Sequence, residues 1–149
     1  MKGSKIIFVA SWALLLFLCL GTALASLGSV FVAYSGASDN IGGTTMEQLR
    51  ETGGEPLLKA VRARRATAAT YSLAFAILSG WVVVVPYRRG ERWAWWALLV
   101  GAGLPHFLSL ARVISIGTTL GATASGATLA FLLLGLLAGF PRMFRGADL

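Results

Sequence analysis

Four uncharged, mostly apolar stretches dominate the chain. Residues 6–34, 66–87, 93–111 and 113–141 contain no Asp, Glu, Lys or Arg. A helix needs about 20 residues to cross a hydrocarbon core roughly 30 Å thick, and each stretch can supply them. An amphipathic helix of a soluble protein would carry a polar stripe at helical spacing, and none of the four does. The pattern predicts an all-α fold: a single-domain integral membrane four-helix bundle with spans at about 6–34, 66–87, 93–116 and 121–141. The intervening residues 35–65 form an outer loop that carries a short amphipathic helix.

The punctuation between the spans refines this outline. Ser35-Gly36-Ala37-Ser38-Asp39-Asn40 supplies turn formers that break the first helix. Thr44 and Glu47 have the spacing of a capping box, which predicts a short helix that Gly53-Gly54 ends. Pro56 suits the first turn of a further helix that runs into the second span and stops near Pro86. The segment from Tyr87 to Trp93 is a tight basic connection, and Thr118, Thr119 and Gly121 make a short turn that sets spans three and four side by side as antiparallel neighbours. Pro141 opens a basic tail. At the other end of the chain, Lys2, Lys5, the apolar residues 6–20 and Ala23-Leu24-Ala25 also fit a signal peptide. Apolar character continues through Leu27, Val30, Phe31 and Val32, beyond the length of a typical signal core, and cleavage would leave three spans. The expectation is an uncleaved first helix.

Composition and charge sharpen the class. Apolar residues make up 56% of the chain and charged residues 13%, about half the usual charged share. A net charge of +7 would raise nucleic acid as a partner in a soluble protein. Here the bases flank apolar runs, where they anchor helices against anionic lipid, so the bilayer and not nucleic acid is the expected partner. Lys2, Lys5, Arg88, Arg89, Arg92, Arg142 and Arg145 fall on one side, against Arg50, Lys59, Arg62, Arg64 and Arg65 on the other. That bias of seven to five places both termini in the cytoplasm. Trp12, Trp81, Tyr87, Trp93, Trp95 and Trp96 gather at the same boundary as an aromatic belt. Cys19 is the one cysteine, so no internal disulfide can form.

Small residues recur at helical spacing in every span: Gly21, Ala25 and Ser29 in the first, and Ala69, Ser72, Ala76, Ser79 and Gly80 in the second. Ala94, Ala97 and Gly101 mark the third, and Ala122, Gly126 and Ala130 the fourth, with Gly135 and Gly139 on another face. In lipid, close backbone approach at such positions drives helix association. They predict a compact bundle, with the second face of the fourth helix, at Gly135 and Gly139, left to serve a partner protein, another membrane subunit or a second copy.

Candidate chemistry is sparse. Ionisable groups inside a membrane are costly and mark sites by default. His106 and Arg112 on the third span are two such groups, and Ser109 lies one turn from His106. Arg112 shares a face with Ala97, Gly101, Pro105 and Ser115, which directs it into the bundle. Asp39, Glu47 and Glu51 of the outer loop are its expected partners. One reading is a ligand pocket for a quinone, carotenoid, haem or lipid built on His106, Ser109 and Arg112. The plainer reading has His106 bonded to a serine or carbonyl and Arg112 snorkelling to the interface. Arg62, Arg64, Arg65, Arg88, Arg89 and Arg92 are candidates for lipid headgroups. With one His and one Cys there is no zinc site. The paired glycines lack the context of a phosphate loop. No motif specifies a cofactor or a catalytic group. An enzyme would have to use His106 as a lone general base.

Tyr87-Arg88-Arg89-Gly90-Glu91-Arg92-Trp93-Ala94-Trp95 resembles a connection in small bacterial membrane proteins of four spans, some loosely grouped as DoxX-like. The resemblance extends from about Ala66 onward and is specific only at the Arg-Arg-Gly-Glu-Arg-Trp turn. It implies a bacterial inner-membrane protein and carries no active-site residues. The expected role is an accessory or structural subunit of a larger membrane complex, with a binder of a hydrophobic small molecule as the alternative.

Overall fold

The computed structural model describes residues 2–35, 40–41 and 44–144. In chain order they form α1 (Lys2–Ser35), β1 (Asn40–Ile41), β2 (Thr44–Thr45), α2 (Met46–Val82), a wide π turn (Val83–Tyr87), α3 (Arg92–Ser115) and α4 (Ala122–Phe144). The two strands make only a two-rung antiparallel ladder, Asn40 with Thr45 and Ile41 with Thr44. The fold is otherwise helical, and all four helices are long and apolar enough to cross a membrane. That is the make-up of a multi-pass membrane protein. Helix α1 runs unbroken through Ala23-Leu24-Ala25.

Local chemistry explains the boundaries. The capping box before α2 sits one residue later than the sequence spacing predicts. The Thr45 amide donates to Gln48 Oε1 at 2.9 Å, and the Gln48 amide donates to Thr45 Oγ1 at 3.2 Å. Both threonines lie in the short ladder, and α2 begins at Met46, so Thr45 is the residue immediately before the helix and the one placed to cap it. Within α2, Gly54 takes φ 67° and ψ −173°, a left-handed conformation that breaks the helix. Pro56 then occupies the first turn of the resumed helix, where its missing N–H costs nothing. Pro86 acts differently. It cannot bond the carbonyl four residues back, and the chain widens, with Arg88 N–H on Val83 O at 3.1 Å and Glu91 N–H on Pro86 O at 3.0 Å. Gly90, at φ 84°, reverses the chain into α3. Helix α4 continues through Pro141 to Phe144, where the sequence places a tail.

The chain divides into two compact units, 1–20 with 77–149 and 21–76. In the first, Phe8, Leu15, Val83, Tyr87, Ala94, Trp95, Leu98, Leu132, Leu136 and Met143 form the core. Tyr87 is fully buried and stacks on Phe8 with ring centroids 5.8 Å apart. Its hydroxyl lies 2.7 Å from Ser11 Oγ, and Ser11 donates to Gly135 O at 2.6 Å. Since the Ser11 proton goes to the carbonyl, the Tyr87 hydroxyl donates to Ser11. Trp95 donates Nε1–H to Leu136 O at 2.8 Å and meets Phe140 and Phe144 edge-on. Two consecutive α4 carbonyls are thus tied by side chains from other helices, which satisfies polar groups that lipid could not. Tyr87 and Trp95 therefore belong to the core and not to the expected belt, and Gly135 and Gly139, expected on a face left for a partner, are buried in the same core against Leu15, Ser11 and Tyr87. Trp81, Trp93 and Trp96 do remain exposed.

In the second unit, Ser26 of α1 donates to Ser72 of α2 at 2.8 Å, and Arg65 Nε donates to Ser29 at 3.2 Å. Ala69 and Ala76 are buried, as small residues at a close helix crossing should be. An exposed ion pair, Arg50 with Glu55 at 2.9 Å, spans the corner at Gly54.

Candidate functional site

The packing of Trp95 sets the rotation of α3. Burying that ring and its N–H bond turns the face of Trp95, Ala102, His106, Ser109 and Val113 inward, buried or half-buried. Gly103 fits the same arrangement, since a Cβ there would lie 3.8 Å from Leu132. The face expected to point inward carries Ala97, Gly101, Pro105, Arg112 and Ser115; Gly101 is half-buried and the other four are exposed. The small-residue pattern misled at Ala97 because one bulky, hydrogen-bonded indole outweighs a few small residues in fixing a helix face.

Arg112 is accordingly exposed and donates Nη2 to Ser109 Oγ at 2.7 Å. The expected carboxylate partner is replaced by a hydroxyl one turn away on the same helix. Asp39, one of the acids proposed for that role, lies outside the described residues. Ser109 also accepts from Ser125 of α4, Oγ to Oγ 2.8 Å. The structure thus brings Arg112, Ser109 and Ser125 into one polar chain across the α3–α4 hairpin. Ser125 was not among the sequence candidates; its place opposite Ser109 follows from the hairpin register, which the sequence does not fix. His106 lies one turn from Ser109 along α3, half-buried. Its ring makes no hydrogen bond among the described residues, so the serine or carbonyl expected to hold it does not. The cluster can offer a hydrogen-bonded guanidinium and an imidazole to a ligand. It holds no nucleophile activated by a base. Among the described residues no three His, Cys, Asp or Glu side chains gather as metal ligands.

The basic residues meet aromatic rings. Arg88 lies over Trp12 at 5.2 Å, Arg142 over Phe8 at 4.5 Å and Arg92 over Phe144 at 5.9 Å. Arg92 also donates Nε–H to Met143 O at 3.0 Å. Arg89 and Arg64 are exposed, while Arg62 and Arg65 are half-buried. Cation–π contacts hold these side chains without neutralising them, which keeps their charge available to anions. Sequence reasoning missed this pairing, since the aromatic partners lie about 70 or more residues from Arg88 and Arg142 and only the fold brings them close.

No protein-family model, curated protein or solved structure matches the chain.

Proposed function

We propose that this chain is an accessory or structural subunit of a larger membrane complex in a bacterial inner membrane, with both termini in the cytoplasm. One observation carries the reading. In the most apolar window of each span, only 11–22% of the residues are buried inside the chain. Part of the remaining surface has the features of a helix-docking face. On α1, Gly21, Ala25 and Gly28 line one exposed face, and a Cβ added at either glycine meets nothing within 4 Å. Small residues at this spacing let another backbone approach closely, which is the main source of helix association in lipid. The charge bias and the resemblance of the Arg88–Trp93 turn support the location and orientation.

The test is the size of the assembly extracted in mild detergent. The wild-type chain is expected in a complex well above its own 15.7 kDa. Gly21→Leu with Gly28→Leu, which face open space and leave the fold intact, should release it. A wild-type chain that runs alone, or a complex indifferent to the double variant, contradicts the proposal.

A second reading rests on the His106, Ser109, Arg112 and Ser125 cluster, which suits the polar end of a quinone, carotenoid, haem or lipid. An absorption spectrum and mass spectrometry of the purified protein test it. Retention of such a ligand by the wild type and its loss in His106→Ala is the expected result. Absence of any ligand from the wild type rules this reading out.

A further inference from the structure

Positive charge gathers where α1 and α3 begin and α4 ends. Lys5, Arg88, Arg89, Arg92 and Arg142 stand there against one acid among the described side chains, Glu91. The Glu91 carboxylate accepts from Trp93 Nε1 at 2.7 Å. The flanking sequence adds Lys2 and Arg145 against Asp148. The acids of this end are too few to neutralise its bases, whatever pairs they make.

Two of the bases are fixed in place. Arg88 lies over the Trp12 ring at 5.2 Å and Arg142 over the Phe8 ring at 4.5 Å. Phe8 and Trp12 are four residues apart, one helical turn, or roughly 6 Å along α1. Phe8 is itself anchored, buried and stacked on Tyr87, the residue before Arg88. One turn of α1 thus carries both guanidiniums, brought from the end of the π turn and from the end of α4. An aromatic ring holds the flat face of a guanidinium and leaves its edge, where the N–H donors lie. Both arginines are exposed, so those donors are accessible. Arg92 differs: it lies over Phe144 at 5.9 Å, but its Nε–H is committed to Met143 O.

The surroundings set the class of anion. Arg88 directly follows the uncharged run 66–87, and Arg142 follows the run 113–141. In a bilayer the ends of apolar spans lie at the level of the lipid headgroups. Trp81, Trp93 and Trp96 of the same unit are exposed, as aromatics at that level are. The planar fork of a guanidinium matches two oxygens of a phosphate. We propose that Arg88 and Arg142, set on Trp12 and Phe8, bind the phosphodiester headgroup of one anionic phospholipid. A zwitterionic lipid brings its own cation to compete for the phosphate. A free anion shares the phosphate chemistry but lacks the acyl chains that hold a lipid at this level. The site stands apart from both readings of function above. Its residues belong neither to the α1 face at Gly21 and Gly28 nor to the His106 cluster, and it does not depend on which side of the membrane this end faces.

The experiment uses the full chain in phosphatidylcholine nanodiscs, with phosphatidylglycerol titrated in and bound lipid counted by native mass spectrometry. One phosphatidylglycerol is expected to bind in preference to phosphatidylcholine. Arg88→Gln and Arg142→Gln should each weaken that binding about five-fold, the effect of one basic residue on anionic lipid. Arg88→Lys, which keeps the charge and loses the fork, should fall between wild type and Arg88→Gln. Trp12→Leu keeps every charge but removes the ring under Arg88, and should weaken binding about two-fold. Arg89→Gln, next in sequence and on neither ring, should cost less than that. Equal losses from Arg88→Gln and Arg89→Gln would mean a diffuse attraction of the whole basic end and would overturn the site. Unchanged binding in the double variant Arg88→Gln with Arg142→Gln overturns it as well. So does displacement of the lipid by inorganic phosphate, which would make the site one for a free anion.

Discussion

The tightest constraint in the molecule acts on single residues around Tyr87. A Cβ placed on Gly139 would collide with the Tyr87 hydroxyl and come within 2.8 Å of Ser11 Oγ, and one on Gly135 would come within 2.8 Å of Leu15. Gly139→Ala should therefore cost about 1–3 kcal/mol, the usual range for overpacking. Thermal unfolding in detergent measures it. Adding Tyr87→Phe removes the colliding atom and should recover part of the loss, so the two changes are non-additive. An unaltered midpoint for Gly139→Ala would mean that the hydroxyl is not where the hydrogen bonds place it. Arg112 gives the opposite case. Exposed and, among the described residues, bonded only to Ser109 on its own helix, it should tolerate Arg112→Ala within about 0.5 kcal/mol. A loss of several kcal/mol in the same unfolding assay would indicate a buried carboxylate partner. At this scale the sequence was a mixed guide. It singled out His106, Ser109 and Arg112 as polar groups in an apolar span, yet it turned the Arg112 face the wrong way. It treated Tyr87 as a boundary aromatic, because burial of a phenol depends on acceptors supplied by helices far away in sequence.

Element boundaries were the most legible part. Gly54 and Pro56 act on the backbone through their own covalent structure, so the break and restart in α2 follow from residue type alone. Pro86 likewise marks the end of the second span, although the wide turn that carries Tyr87 inward depends on packing that residue type alone does not specify. The cap of α2 was read one residue early, at Thr44 and Glu47, since Thr45 and Gln48 have the same chemistry at the same spacing and only the helix start at Met46 decides between them. The two registers are separable. Thr45→Ala removes the acceptor of the Gln48 amide and should weaken the first turn of α2 by about 1 kcal/mol. Faster hydrogen exchange at Gln48 would register this, and Thr44→Ala should leave that amide unaffected. Equal effects of the two changes, or a larger one from Thr44→Ala, would restore the earlier register.

For the whole molecule, uncharged run length set the number of helices correctly, because no soluble alternative buries four such runs without polar stripes. The function is less legible, because no motif in the sequence specifies a ligand, a partner or a reaction. The stripe of Gly21 and Ala25 on α1 was legible in the sequence, but that it runs on to Gly28 and stays exposed, while Ser29 turns to Arg65, emerged only once the helices were paired. The central claim is that α1 to α4 each cross the membrane. If so, Glu47, near the start of α2, and Glu91, just beyond its end, lie on opposite sides. With Cys19→Ser as background, Glu47→Cys and Glu91→Cys are each treated with a membrane-impermeant maleimide on intact cells. The account predicts labelling of Glu47→Cys alone, with Glu91→Cys reacting only after permeabilisation. The reverse pattern would keep the four spans and overturn the cytoplasmic placement of the termini. Labelling of both from the outside would mean that α2 does not cross, and it would contradict the four-span architecture itself.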